Sequence, residues 1–352
     1  MPQRRSSTCS RAATRAPKGS RVRRLPLETY VEGLRQGRRE ILSQAITLVE
    51  SSREDDRLLA QALLEALLPL STRAIRIGVT GAPGVGKSTL IEDLGSFWVA
   101  RGYRVAVLAI DPSSQNAGGS LLGDKTRMHE LGRHPSAYVR PSPSRGALGG
   151  LGLRSFEAAL LCEAAGFDRV LIESVGVGQS ESDVVDISDL CLYLLAAGEG
   201  GDEVQAMKRG LSERIDLVVI SKADEARRAA AAQTRRRLRS VYAQGLKDCP
   251  PIVLFHSGSA NASEGLALEI QALWQRSDRA GALEERRRRQ HRVWMWREIN
   301  DQLHRRFREH PEVQKRLAAT EKAVEGQEQT PWKAAHALLA FYEARAERLD
   351  EG

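Results

Sequence analysis

Eight residues, Gly81-Ala-Pro-Gly-Val-Gly-Lys-Ser88, constrain this chain more than any other feature. They fit G-x-x-x-x-G-K-S, a glycine-rich turn whose backbone N–H groups can point inward around phosphate oxygens. Such a turn needs a strand before it and a helix N-terminus after it, so that the helix dipole adds to the cradle. Both are expected here. Ile75–Thr80 is a short β-branched run, and Lys87–Arg101 has a helical pattern. The candidate nucleotide-binding residues are therefore Gly81, Ala82, Pro83, Gly84, Val85, Gly86, Lys87, Ser88 and Thr89. Lys87 is placed to reach β/γ-phosphate oxygens, and the Ser88 hydroxyl to ligate Mg²⁺.

The surrounding sequence supplies the rest of such an α/β arrangement. Further strands are expected at Arg104–Ile110, Arg169–Ile172, Leu190–Ala196, Leu217–Ile220 and Ile252–Phe255, with helical stretches between them. Continuous apolar strands alternating with helices imply a mostly parallel sheet with helices on both faces. Leu27 to Leu70 reads as helical, with leucines and isoleucines at helical spacings until Pro69 stops the run. Pro112–Gly152 reads as loops around one short helix near Asp124–Arg133. Residues 281–309 read as a highly charged helix carrying Trp294, Trp296, Ile299, Leu303 and Phe307, and helices follow over Pro311–Val324 and Pro331–Leu349.

The expected organisation is a disordered basic tail (1–26), an N-terminal helical extension (27–70), a P-loop domain (71–277) and a C-terminal helical dimerisation arm (278–352). Helices packed only on their own domain are the alternative reading of that arm.

Composition excludes some functions. No segment approaches the ~18 uninterrupted apolar residues of a membrane span. Aromatics make up 5% of the chain, too few for the base-stacking platforms of single-strand binders. The net charge of +8 would suit an anionic partner, but the excess concentrates in the first 27 residues and around Arg286–Arg297. Neither nucleic acid nor membrane is therefore expected as a partner. Cys9, Cys162, Cys191 and Cys249 are scattered and form no Cys-x-x-Cys pair, which points to a reducing compartment. The first 27 residues contain no acid. They read either as a disordered tail on a cytoplasmic protein or as a transit peptide to the mitochondrial matrix.

Other candidate residues follow the strands. Asp111, in Ile-Asp-Pro-Ser-Ser, ends the second strand, where parallel sheets open toward ligands; it can serve a metal or cap the turn before Pro112. Glu173 opens Glu-Ser-Val-Gly where many GTPases have Asp-x-x-Gly, which gives Glu173 the metal's water shell and Gly176 the γ-phosphate contact. Val177 stands where Ras-like proteins have a water-orienting Gln, so intrinsic hydrolysis is expected to be slow, with Gln179 the nearest substitute. Lys87, Gly176 and Gln179 form the candidate catalytic set.

Ser221-Lys222-Ala223-Asp224 resembles the Asn-Lys-x-Asp guanine reader. A carboxylate at Asp224 can accept from guanine N1–H and the 2-amino group, a pattern adenine lacks, so GTP is favoured over ATP. Ser221 loses the longer amide that normally braces this loop. Ser257 and Gly258, after the last strand, are placed to close over the base edge.

These motifs and the stretches between them resemble the MeaB/ArgK family of G-protein chaperones. The resemblance rests on Asp111-Pro-Ser-Ser, Gly118-Gly-Ser-Leu-Leu-Gly-Asp-Lys-Thr-Arg-Met128, Arg140-Pro-Ser-Pro-Ser-Arg-Gly-Ala-Leu-Gly-Gly150, Glu173-Ser-Val-Gly-Val-Gly-Gln-Ser-Glu181 and Gly201-Asp-Glu-Val-Gln205 with Lys208. It spans roughly Thr29 to Tyr342. It implies a SIMIBI-type P-loop NTPase fold, a homodimer made with the helical extensions, and binding of GTP and Mg²⁺.

It also implies a protein partner, the adenosylcobalamin-dependent methylmalonyl-CoA mutase, a cobalamin-dependent acyl-CoA mutase whose cofactor loading such proteins gate and which they protect or reactivate. By matching motif, Asp111, Asp124 and Glu173 join Ser88 at the metal. Gly118–Met128 and Gly176–Glu181 become nucleotide-sensing switches, and Gly200–Arg209 the relay to the mutase. The chain departs from the family pattern at Ser221, at Ala196–Gly200 and at His256–Ala262. A metallochaperone-type GTPase and a non-hydrolysing, nucleotide-gated scaffold are the alternative functions.

Overall fold

Seven parallel strands form one sheet in the computed structural model of the chain, which describes residues 24–51, 53–68, 74–110, 128, 130–141, 151–174, 179–198, 212–243 and 248–343. The strands are β1 (Ile75–Gly81), β2 (Val105–Ile110), β3 (Ala137–Pro141), β4 (Arg169–Ser174), β5 (Leu190–Ala196), β6 (Leu217–Ser221) and β7 (Ile252–Leu254), in the spatial order β3-β2-β4-β1-β5-β6-β7. β1 is central. Its Val79 pairs with Glu173 of β4 on one side, and its Gly81 with Leu194 of β5 on the other. The chain leaves β1 toward β2 and later crosses from β4 over β1 to β5, so a crevice opens at the C-terminal ends of these central strands.

Alternation along the strands explains why both faces are covered. Ile75, Ile77, Val79, Val105, Val107, Leu171, Leu192 and Val219 share one core with α4 (Lys87–Ala100) and α8 (Ala260–Arg279), reached through Leu90, Ile91, Leu94, Leu266 and Ile270. The intervening residues Ala106, Leu108, Val170 and Ile172 face the opposite side. There α5 (Leu151–Ala164) and α6 (Gln179–Ile187) lie on the sheet, covered by α1 (Leu27–Arg35), α2 (Arg39–Val49) and α3 (Glu54–Leu67). Tyr193, Leu195, Val218 and Ile220 pack under α7 (Arg228–Ala243). A two-residue period with apolar side chains on both faces is what a doubly covered parallel sheet demands.

Three details differ from the sequence expectation. The helical run from Leu27 is three helices, which end at Arg35, Val49 and Leu67. One continuous helix of that length would run about 60 Å, far past the sheet; folding back lets Leu34, Leu42, Ile46 and Leu63 meet in one core. The stretch taken as loops and a short helix contains β3, paired through Val105–Ala137 and Val107–Val139. Its short apolar core sits among Gly, Ser and Pro. An edge strand tolerates that setting, including the terminal Pro141. The described end of the helix expected near Asp124–Arg133 is a single 3₁₀ turn, Leu131–Arg133.

Beyond α8 the chain continues as α9 (Ala282–Glu309), α10 (Pro311–Glu325) and α11 (Pro331–Glu343). α9 returns to the domain: Trp294 is buried beside Phe156, with stacked rings 5.2 Å apart. Among the described residues no helix is long and apolar enough to cross a membrane.

Candidate functional site

At the C-terminal edge of the sheet, β1 passes into α4 through Ala82–Gly86. Gly81 sits at φ +142°, and a Cβ there would lie 2.4 Å from the Leu194 carbonyl of β5. Glycine alone lets the strand end this close to its neighbour. Gly86, at φ +99°, turns the backbone into the first residue of α4. No side chain caps that helix, so its first N–H groups are available to an anion.

Lys87 is buried, and its Nζ donates to the carbonyls of Gly81 at 2.7 Å and Ala82 at 3.0 Å. Burial lowers its pKa from the usual lysine value, and the charges of Glu173 and Glu181 pull it back up. Glu181, on α6, is itself pushed up by burial and drawn down by Lys87. Ser88 Oγ donates to Glu173 Oε1 at 2.8 Å. Behind them Ser174 Oγ donates to Thr80 Oγ1 at 3.0 Å, tying the ends of β4 and β1 together in the interior. The hydroxyl of Ser88 and the carboxylate of Glu173 are hard oxygen donors side by side, a set that suits Mg²⁺.

The other half of the site surrounds the end of β6. Ser221 is 3% exposed, and its hydroxyl donates to the Val85 carbonyl at 2.6 Å, with the Leu195 carbonyl at 3.2 Å. The residue expected to lose a brace therefore supplies one, because Val85 lies within reach of a short side chain. Lys222 follows at φ +53°, a left-handed conformation unusual for lysine. Asp224 Oδ1 accepts the Arg227 N–H at 3.1 Å and caps the 3₁₀ turn Glu225–Arg227. The Ala223 N–H donates to the Phe255 carbonyl at 3.0 Å, which draws the loop after β7 alongside. In that loop Ser257 and Gly258 are exposed, and the Gly258 N–H donates to Asp93 Oδ2 at 3.1 Å.

One edge of the sheet thus brings together Gly81 through Thr89, Glu173, and the loops carrying Ser221, Lys222, Asp224, Ser257 and Gly258. Gln179 is the first residue of α6. Asp111, Asp124 and Gly176 lie outside the described residues, as do nearly all of 118–128 and the whole of 200–209.

Two carboxylates entered no motif, and a third, Glu181, entered only as the end of a switch. Asp93 holds the Gly258 turn. Glu92 Oε1 accepts the N–H groups of Glu130 at 3.0 Å and Leu131 at 2.9 Å, fixing the chain that returns toward β3. Glu181 shares Lys87 with Glu173. The signal for the first two was slight: they are the only acids on α4.

Residues 42–312 match the family model described as Methylmalonyl Co-A mutase-associated GTPase MeaB. A relative from Caulobacter vibrioides is 47% identical over 323 residues, spanning 90% of this chain and 98% of its own. The mouse protein named methylmalonic aciduria type A homolog, mitochondrial, is 40% identical over 331 residues, spanning 89% of this chain and 79% of its own. The crystal structure of LAO/AO transport system kinase superposes with a TM-score of 0.67 at 30% identity, covering 90% of this chain and 97% of that one. With a phosphate-binding turn, an adjoining carboxylate and hydroxyl, and a Lys-x-Asp loop on one sheet edge, the chain belongs to the MeaB family of P-loop GTPases.

Proposed function

We propose that the chain is a GTP-driven chaperone of a cobalamin-dependent acyl-CoA mutase of the methylmalonyl-CoA type. In this reading it gates adenosylcobalamin loading and protects or reactivates the enzyme. The observation that carries the nucleotide half is the junction of Lys87, Ser88 and Glu173 at the start of α4. Support for the partner half comes from the family description and the name of the mouse relative.

The chemistry follows from these groups. The backbone N–H groups from Gly84 to Thr89 receive the β- and γ-phosphates of GTP, and Lys87 Nζ exchanges the Gly81 and Ala82 carbonyls for phosphate oxygens. Ser88 and Glu173, with Asp111 and Asp124, would hold Mg²⁺, which would supply charge neutralisation for the phosphate oxygens. Glu173 holds water in that shell, and Gly176 contacts the γ-phosphate. Asp224 selects guanine while Lys222 flanks the base plane, and Ser257 and Gly258 close over its edge. Val177 offers no amide for the attacking water, so turnover is slow until a partner docks, with Gln179 the nearest group for that role. α9 to α11 form the arm of a homodimer. The setting in this reading is the cytoplasm, with the mitochondrial matrix the alternative if residues 1–26 are a transit peptide.

The test is GTP turnover by purified protein mixed with candidate mutases. Stimulation by one of them is expected. Unchanged turnover with every mutase overturns the partner assignment, and absence of hydrolysis with or without a mutase overturns the GTPase assignment for this chain.

A further inference from the structure

Helix α7 carries five arginines, Arg228, Arg235, Arg236, Arg237 and Arg239, and no acidic residue along its 16 positions. Its apolar side, with Ala231, Leu238 and Tyr242, is spent on the sheet. At about 100° per residue, Arg228, Arg235, Arg236 and Arg239 fall within an arc of about 100° beside that buried side. All but Arg235 are exposed, and Arg235 is half-buried. Among the described residues none of the five forms an ion pair.

A charged helix face is ordinarily a solvated one, and a second arginine-rich helix in the same molecule shows how α7 differs. α9 is also rich in arginine, yet it carries five carboxylates of its own, and five of its nine arginines are consumed internally. Arg286 meets Asp216, Arg287 meets Asp189, Arg288 meets Glu284, Arg297 meets Asp183 and Asp186, and Arg305 meets Asp301. α9 intersperses its arginines with carboxylates, whereas the 16 positions of α7 hold none, although Arg289, Arg292, Arg306 and Arg308 of α9 are exposed and have no ion pair among the described residues either. Concentrating like charge on one face raises the folding free energy by self-repulsion. A partner bearing the opposite charge relieves it.

The position of α7 selects the kind of partner. The helix starts just after the Asp224 turn, at the edge of the sheet that carries the phosphate-binding loop. Its Thr234 hydroxyl accepts the Gly198 N–H at 3.2 Å, fastening it to the turn that leaves β5 at the same edge. No aromatic side chain is exposed on it for stacking against bases. Guanidinium groups pair with carboxylates through two parallel hydrogen bonds.

We infer that the Arg228–Arg239 face of α7 is a docking surface for an acidic face of the protein partner, and that it steers encounter beside the nucleotide edge. This rests on the chaperone reading above and adds the surface through which the partner arrives.

The experiment compares wild-type protein with Arg236→Glu/Arg239→Glu and with Arg236→Lys/Arg239→Lys. Association with the stimulating mutase is followed by stopped flow at several ionic strengths, and basal GTP turnover and the melting midpoint report on the fold. Wild-type association should slow as salt is added. Charge reversal should slow it roughly tenfold and flatten its salt dependence, the lysine variant should keep most of the rate, and basal turnover should not change. Mutase association that survives charge reversal overturns the surface while leaving the chaperone reading intact. Salt-sensitive retention of duplex DNA by the wild type alone, with mutase association unaffected, overturns it in favour of a nucleic-acid partner. Failure of the wild type to bind any mutase removes the chaperone reading and this surface with it.

Discussion

The Ser221 hydroxyl and the Val85 carbonyl meet at 2.6 Å, joining the base-side loop to the phosphate-binding turn across 136 positions of sequence. The bond is buried, so its loss is not made good by water. Ser221→Ala leaves the Val85 carbonyl one donor short at a cost of about 1 kcal/mol, or roughly fivefold in nucleotide affinity. Titration with a fluorescent GTP analogue reads this directly. Wild-type affinity in the variant shows that the two loops hold their positions independently.

Asp224 serves two purposes that a single substitution can separate. Its Oδ1 caps the turn through the Arg227 N–H, and an asparagine oxygen can accept that bond equally well. Asp224→Asn therefore keeps the loop but replaces one acceptor facing the base by a donor. GTP affinity should fall by about 1–3 kcal/mol, while xanthosine triphosphate, which presents a 2-oxo group, should gain. Competition binding against GTP, ATP and xanthosine triphosphate checks this. Equal affinities of the wild type for GTP and ATP refute the base assignment at once.

What could be read in advance depended on the range over which each residue acts. The phosphate-binding turn, with Lys87 and Ser88 at its end, is fixed by local backbone geometry, and a short motif records it completely. The strand β4 with Glu173 near its end was legible too, since the continuous apolar run Val170–Ile172 announces a covered parallel strand. Ser221 was misjudged because its bracing depends on how near β6 brings it to Val85, a distance no spacing encodes. Asp93 and Glu92 act across 165 and 38 positions and leave no local pattern. β3 escaped notice because five residues at a sheet edge carry too little periodicity to stand out from the loops around them.

Beneath the site, Arg76 on β1 and Glu163 on α5 form an ion pair at 2% and 0% side-chain exposure. Arg76 lies beside the Phe156 ring at 5.6 Å, and Arg287 approaches the same carboxylate at 3.9 Å. Glu163→Ala leaves a buried guanidinium uncompensated and should cost about 3–5 kcal/mol, visible as a large fall in melting midpoint. Arg76→Met/Glu163→Leu, which removes both charges, should recover most of that loss. If the double variant is no more stable than the single one, the pair is not the source of the effect.

Glu312, in the first turn of α10, is held down at about 2 from the usual 4.5, chiefly by its hydrogen bonds to Lys315 and Arg316. A carboxyl lowered in the folded state adds stability above its ordinary value and loses it as pH falls toward the lowered one. The carboxylate lies at the surface and is partly exposed, so the signature is its own titration rather than a large change in global stability. Carboxyl ¹³C shifts should show Glu312 ionised at about pH 4, and Lys315→Ala/Arg316→Ala should move its midpoint back toward the ordinary glutamate value. A wild-type midpoint at that ordinary value contradicts the pairing.

Lys87 is where folding and chemistry pull on one side chain. Its ammonium is desolvated, donates to two carbonyls of its own turn and faces Glu173 and Glu181. Removing it unbalances the site before any nucleotide arrives, because two carboxylates then share a partly buried space without their cation. Lys87→Met keeps the apolar stem and deletes the charge, which separates the electrostatic role from packing. Single-turnover GTP hydrolysis should fall about 100-fold or more, since a charge aimed at the β- and γ-oxygens is lost where water cannot replace it. Glu181→Gln in the same background should restore part of the lost stability by removing one of the two carboxylates, yet restore none of the hydrolysis. Hydrolysis at the wild-type rate in Lys87→Met removes Lys87 from the catalytic set, and hydrolysis regained through Glu181→Gln makes its role one of local charge balance.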